Sequence, residues 1–328
     1  MKKIYSLLIM MVVLFSFSAC NNEWEEEQYQ NFISFKAPIN DNGVTKIYIK
    51  YNAKGLVNYK LPLIVSGSNT NANNVTVHVA VDPDTLKTLN IERFQSRTDL
   101  YYNELTSQYF TFPETVDIKA GENTSLMDID FSLKGIDLSE KWVLPITILD
   151  DPSYNYVSHP RKNYRKALLR IMPFNDYSGV YGGTAYKNFL KGYENDAAIV
   201  ASEITGYVSD ENTIFFYAGT IDEDRKDRRN YKIFVHFDND TKQLTMYAEN
   251  PEMEFKLNKQ PYFKIQESMD PTLPYLKHRY VTIDNIDYDF TDYTSVPGSR
   301  INYVVRGSLT LERKINTQIP DEDQAIEW

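Results

Sequence analysis

With 45 acidic against 35 basic side chains in 328 residues, a net charge of −10, the chain repels phosphate backbones and anionic surfaces, which excludes nucleic acid as a natural partner. Its 42% apolar and 24% charged residues are those of a folded protein, so disorder over the whole chain is excluded, and the length suits two domains better than one. The anomaly is aromatic: 25 Tyr and 17 Phe stand against 13 Gly, an excess that strands and recognition surfaces both favour.

The chain opens like a lipoprotein signal. Lys2 and Lys3 precede an apolar stretch over residues 4–17, and Ser18 and Ala19 lead into Cys20. That stretch is shorter than the about 20 apolar residues of a comfortable membrane span. Cys20 is the only cysteine, so no disulfide forms within the chain, and a lone thiol in an exported protein is explained by acylation. Two or three acyl chains give the membrane affinity that one lacks. Residues 1–19 then form the signal peptide and residues 20–30 an acidic tether. Glu23, Glu25, Glu26 and Glu27 in that tether resemble the export signal that sends Bacteroidetes lipoproteins to the outer face of the outer membrane; a solvated spacer is the plainer reading.

Further along, residues 45–51, 75–81 and 127–133 place apolar side chains at every second position, the mark of half-buried strands. Residues 59–65 and 142–148 are near-duplicates, each with a proline, Pro62 or Pro145, inside an apolar run. Proline cannot donate to a ladder, so both strands are expected at an edge or a bulge. A short helix is expected near Asp84 to Asn90. The first half, residues 31–172, reads as an Ig-like β-sandwich closed by a strand over residues 166–172. After a break at residues 173–176, short turn-separated strands over residues 177–315 predict an antiparallel β-barrel, a lipocalin or calycin-like meander closed or nearly closed. Residues 316–328 read as a loose acidic tail. The fold class is thus all-β. Two basic clusters, Arg161 and Lys162 with Arg165 and Lys166, and Arg225 and Lys226 with Arg228 and Arg229, read as solvated loops or strand edges.

Taken together, Leu61 with Pro62, residues 99–105, the turn at residues 118–122 and the Trp142 strand in the first half, with residues 176–181 and 307–313 in the second, carry a resemblance. The chain resembles the modular surface lipoproteins of Bacteroides polysaccharide-utilisation systems, which join an Ig-like N-terminal domain of unknown function to an uncharacterised β-rich C-terminal domain. That resemblance implies a cell-surface role in capturing glycans. Thr85, within Asp84-Thr85-Leu86, also matches the O-glycosylation acceptor pattern of exported Bacteroides proteins.

Catalytic chemistry finds no support. Asp284, Asp287 and Asp289 resemble the aspartate run of chitinase-type glycosidases, but Thr291 stands where the acid that protonates the leaving oxygen belongs. The second half is also too short for the about 250 residues of a β/α barrel. The four histidines lack metal-ligand spacing, and Asp222, Asp224 and Asp227 miss that of a calcium loop; no cofactor is expected. Sugar recognition asks for aromatic faces with acids and amides around them. Tyr186, Phe189, Tyr193, Tyr262, Phe263, Tyr275 and Tyr293 are the candidate faces, all in the second domain, with the first as a spacer. The leading expectation is a non-catalytic glycan-binding surface lipoprotein whose partners are a glycan and the outer-membrane lipid. A subunit docking with an outer-membrane transporter or another surface lipoprotein, and a glycosidase with carboxylates drawn from distant strands, are the alternatives.

Overall fold

The computed structural model describes residues 27–319 apart from positions 40, 41, 53, 55 and 139. The first domain contains β1 (Ile33–Phe35), β2 (Thr45–Lys50), β3 (Leu56–Val65), β4 (Val75–Val81), helix α1 (Pro83–Phe94), β5 (Asn103–Glu104), β6 (Phe110–Thr111), β7 (Thr115–Ile118), β8 (Thr124–Ser132), β9 (Trp142–Ile148), the one-turn α2 (Lys162–Arg165) and β10 (Lys166–Phe174). One sheet runs β1-β3-β8-β6 and the other β2-β10-β9-β4-β7, with β5 added beside β9. The alternating residues meet between the two sheets: Ile47, Ile49, Leu61, Leu63, Val77, Ile129, Phe131, Ile146 and Leu169 are all buried there. This is a β-sandwich, and burial of its alternating apolar faces is the driving term for it.

The prolines correct one expectation. Strands β3 and β9 are interior strands, not edges. Pro62 accepts the Lys36 N–H (2.9 Å) and Pro145 the Asp82 N–H (3.0 Å). Lys36 and Asp82 are the first residues after β1 and β4 end. Each proline therefore sits where the neighbouring strand gives out: its carbonyl takes the last bond of that ladder, and with no N–H it lets the pairing go no further.

Helix α1 is longer than expected. Asp82 caps it, with Pro83 in its first turn, and the Asp82 carboxylate accepts from the Thr85 hydroxyl at 2.6 Å and from Lys166 Nζ at 2.6 Å. Lys166 also donates to the Thr85 hydroxyl at 2.8 Å. Thr85 is consequently buried and fully engaged. The glycosylation expectation at this residue is corrected: an acceptor hydroxyl must be accessible, and this one is locked in a cap.

The second domain contains β11 (Gly179–Gly182), β12 (Lys187–Leu190), β13 (Ile199–Val200), β14 (Glu203–Val208), β15 (Thr213–Tyr217), β16 (Lys232–Phe237), β17 (Leu244–Tyr247), β18 (Lys256–Leu257), β19 (Tyr262–Met269), β20 (Leu276–Asp292) and β21 (Ile301–Asn316). Hydrogen bonding runs β19-β20-β21-β11-β14-β15-β16-β17. A bridge between Gln243 and Tyr262, with the Leu244 N–H on Pro261 O and the Phe263 N–H on Lys242 O, both 3.1 Å, joins β17 back to β19. The circuit is closed into a barrel. Its interior is filled by side chains, among them Tyr181, Phe216, Ile233, Val235, Phe237, Val281 and Ile283.

The meander is not simple. Strands β20 and β21 outrun the barrel, and their extensions pair with β18 on one side and with β12, itself paired with β13, on the other. The turn away is made by a bulge between Ile283 and Ile286, where Asn285 has φ +59°, and by Gly307 at φ +139° on the facing strand. A Cβ at Gly307 would lie 1.8 Å from the Ala185 carbonyl oxygen, so only glycine fits.

The outer faces of β14, β15 and β16 carry Tyr207, Phe215 and Phe234 in direct cross-strand register. Phe215 is buried although it points out of the barrel. The first domain covers this face: Lys232 lies 4.9 Å over the Phe215 ring and 3.7 Å from Asp137, and Lys141 pairs with Asp224 at 3.1 Å.

Candidate functional site

Of the expected export residues, Cys20, Glu23, Glu25 and Glu26 lie outside the described residues. Glu27 does not behave as tether. Its carboxylate accepts from the Ser68 N–H (2.7 Å), the Asn69 N–H (2.9 Å), the Ser68 hydroxyl (2.8 Å) and the Tyr29 N–H (3.1 Å). The Ser68 and Asn69 amides hold its carboxyl down at about 2. The fold therefore begins before residue 30. At the far end it extends past residue 315, because the Thr317 N–H bonds Tyr275 O at 2.8 Å.

The seven aromatic candidates do not form one site. Tyr186 and Phe263 are core residues and cannot stack on a ligand. Tyr186 is fully buried, its hydroxyl bonded to that of Tyr288 and its ring edge-on to Phe216 at 6.1 Å. Phe263 faces into the barrel, edge-on to Phe237 at 5.0 Å. Phe189 is half-buried on β12, and Tyr193 is 60% exposed in the turn that follows. Tyr262 lies under Lys264, whose ammonium is 5.0 Å from the ring centre. Tyr275 is exposed in the turn between β19 and β20. Tyr293 packs 5.7 Å from Tyr231, accepts from Asn250 Nδ2 at 2.9 Å and has Arg300 over its ring at 5.8 Å. The aspartate run is likewise a set of ion pairs: Asp284 with Lys264 (3.0 Å), Asp287 with Lys259 (3.0 Å) and Asp289 with Lys191 (2.6 Å).

A different group of residues converges. Beside the junction with the first domain, Glu203 and Tyr207 of β14, Tyr217 of β15, and Ile221, Asp222 and Glu223 of the following loop line a cleft of about 240 Å³. Alternation places Tyr207 and Tyr217 on the outer face of their strands, since Ile204, Ile214 and Phe216 take the inner one. The Tyr207 ring stacks on Phe215 at 5.2 Å and lies 5.8 Å from Tyr217. The Tyr207 hydroxyl donates to the Glu223 carboxylate, and Asp222 accepts the Asp224 N–H at 2.7 Å.

The loop that supplies the acids is held from below. Arg225, three residues past Asp222, donates to Asp227 at 2.7 Å and to both oxygens of Asp292 at 3.1 and 3.2 Å. Burial alone would raise the Asp292 carboxyl; Arg225 and Ser295 outweigh it and hold it below the usual range.

Electrostatically the cleft is acidic. Glu203, Asp222 and Glu223 have no ion pair among the described residues. Burial, then the Glu223 charge, pushes the Tyr207 hydroxyl well above its ordinary value, and burial pushes Tyr217 up to about 12. Both phenols therefore stay protonated and can donate and accept. Among the described residues no three His, Cys, Asp or Glu side chains come together to hold a metal ion. Of the cleft acids only Asp222 stands out in the sequence, in a run with Asp224 and Asp227 that misses calcium spacing; Glu203, Glu223, Tyr207 and Tyr217 carry no motif.

Fold and cleft together define a two-domain β protein with an acidic surface cleft. Residues 24–152 match the family model DUF4973, a domain of unknown function, and residues 165–310 match a model of a C-terminal domain. A Bacteroides ovatus protein of unknown function is 50% identical, with a TM-score of 0.81 over 90% of this chain and 100% of that one. A multidomain Bacteroides ovatus protein including DUF1735 is 48% identical, with a TM-score of 0.80 over the same shares. A Bacteroides thetaiotaomicron protein named an auxiliary nutrient binding protein is 50% identical, with a TM-score of 0.79 over 89% and 100%. The chain belongs to the same family as these Bacteroides proteins, and its own first half carries the DUF4973 match. Among curated proteins nothing matches.

Proposed function

We propose that the protein is a non-catalytic lipoprotein, anchored through Cys20 in the outer membrane and facing the cell exterior, that binds a neutral glycan at the cleft between β14, β15 and the 220–223 loop. The observation that carries this reading is the convergence of three carboxylates without cations and two protonated tyrosines. Ionised carboxylates only accept hydrogen bonds, which suits sugar hydroxyls. Pockets for small ligands run from about 300 to 1,000 Å³, so this cleft takes a single sugar ring at the end or side of a chain. Its place beside a domain junction is a common one for ligands. The nutrient-binding name of a relative half identical to this chain agrees with a binding role.

The test is calorimetry of the chain from residue 21, which keeps every described residue, against a panel of neutral oligosaccharides. Saturable binding without product release is expected. Tyr207→Phe should cost about 1 kcal/mol, close to fivefold in affinity, by removing one hydroxyl from the network. Silence across the panel would count for the docking subunit instead. For the anchor, Cys20→Ser should release the protein from membranes, and alanine at Glu23, Glu25 and Glu26 should reduce surface labelling; retention on the membrane in the first variant rejects the lipid.

A further inference from the structure

A groove in the first domain, away from the barrel, has the reverse chemistry of the cleft. It measures about 830 Å³ between β1 and α2, with Ala37, Pro38, Ile39 and Ile64 as an apolar floor. Its origin is a ladder that stops on both sides. In the β1–β3 register, Ser34 faces Ile64 and Phe35 faces Leu63. The Ser66 N–H on Phe32 O and the Lys36 N–H on Pro62 O show that the even-numbered residues bond to β3. Ile33, Phe35 and Ala37 must then direct their polar groups the other way. Ile33 is satisfied there, giving its N–H to Val157 O (2.9 Å) and accepting the His159 N–H (2.9 Å). Next comes Pro160, which has no N–H to continue the pairing, and the chain turns off into α2. The Phe35 N–H and C=O are left facing the gap with no partner among the described residues.

The rim of this gap is cationic. Lys36, Arg161 and Lys162 line it, all exposed, and none has an ion pair or hydrogen bond from its side chain among the described residues. In a chain with a net charge of −10 such a cluster of uncompensated cations is out of character. Tyr164 completes the wall: it is 45% exposed, and its ring is backed by His159 at 4.6 Å, itself 5.2 Å from Phe32.

We propose that this groove is a second ligand site, which takes a carboxylate-bearing residue of an acidic oligosaccharide. The guanidinium and ammonium groups meet the carboxylate. The Tyr164 face stacks on the apolar side of the ring. The apolar floor excludes water beneath the sugar. This assignment does not rest on the barrel cleft, and the two sites fail or survive separately.

The probes are trigalacturonate and its uncharged counterpart galactotriose, titrated by calorimetry into the chain from residue 21. Trigalacturonate should bind and galactotriose should not bind in the groove. Tyr164→Ala, and separately the pair Arg161→Ala with Lys162→Ala, should each weaken trigalacturonate by roughly tenfold or more, about 1.4 kcal/mol. All three side chains are exposed, so circular dichroism should be unchanged. Glu223→Gln in the barrel cleft should leave trigalacturonate untouched while altering neutral-glycan binding. No binding of trigalacturonate overturns the proposal. So does weakening by the charge variants with none by Tyr164→Ala, which would be charge attraction alone. Hexaglutamate binding as tightly as trigalacturonate, lost in the same variants, overturns it in favour of an acidic peptide on the open strand edge.

Discussion

The barrel cleft and the sandwich groove are opposites built by the same kind of secondary structure. In the cleft, carboxylates and phenols project from the outer face of continuous strands, and a loop pinned by Arg225 closes one side. In the groove, cations surround a place where strand pairing has ceased. A sheet can thus make a site from its face or from its broken edge. The face favours side-chain chemistry fixed by register, whereas the edge favours an open gap with exposed cations around it.

The sharpest way to break the comparison is Phe215→Ala. Removing a ring buried between barrel and sandwich should cost about 3–5 kcal/mol. Because Tyr207 stacks on that ring, cleft binding should fall with it while groove binding persists at temperatures where the fold survives. Equal loss at both sites would mean that they are one unit. Next in size is Asp292→Ala, which leaves Arg225 without its main buried partner. About 3 kcal/mol is expected, the low end for a broken buried pair because Arg225 retains some contact with water. Denaturant melts should also show the sign of the pH effect. The Asp292 carboxyl is depressed in the fold below its usual 3.8, so its stabilisation is complete above that value and is lost only as the pH falls through the folded one. Stability differences between variant and parent that grow on acidification would contradict this.

The smallest effect lies outside both sites and serves as their control. His278 bridges Asp270 (Nε2, 3.0 Å) and Glu312 (Nδ1, 2.6 Å) across the barrel end. Asp270 and then Glu312 raise its pKa above the ordinary 6.5. A raised histidine stabilises fully below its unfolded value and stops doing so as the pH climbs through the folded one. Melting temperatures of His278→Gln and parent should therefore differ below the ordinary histidine pKa of 6.5 and converge as the pH rises above the raised one, with neither ligand affected. A difference that grows toward alkaline pH would show the clamp to be misread.

Period-two alternation made the strand content legible, including β2, β4 and β8, because each buries one face only. Which face was inward at an aromatic pair was not legible. Tyr262 and Phe263 are equivalent in sequence, and only the partner strands put Phe263 in the core and Tyr262 outside. Tyr186 precedes a strand and looked like a loop residue, but Gly307 brings the Ala185 backbone against β21 and carries Tyr186 inward. The cleft was hidden because Glu203 and Tyr207 of β14 precede Asp222 and Glu223 of the loop by 15 to 20 residues and meet them only through the β14–β15 hairpin and the loop after it. Arg161 and Lys162 were read as a solvated loop; their exposure agrees, but their relation to the unpaired edge at Phe35 depends on where β1 ends.

That ending is fixed by two residues that need not touch any ligand. Pro62 stops β1 from pairing further on one side, and Pro160 stops it on the other. The opening and its lining are therefore separable inheritances. Lys36, Arg161, Lys162 and Tyr164 can be replaced while the two prolines keep the doorway open, so what the opening accepts can change without rebuilding the sandwich that frames it.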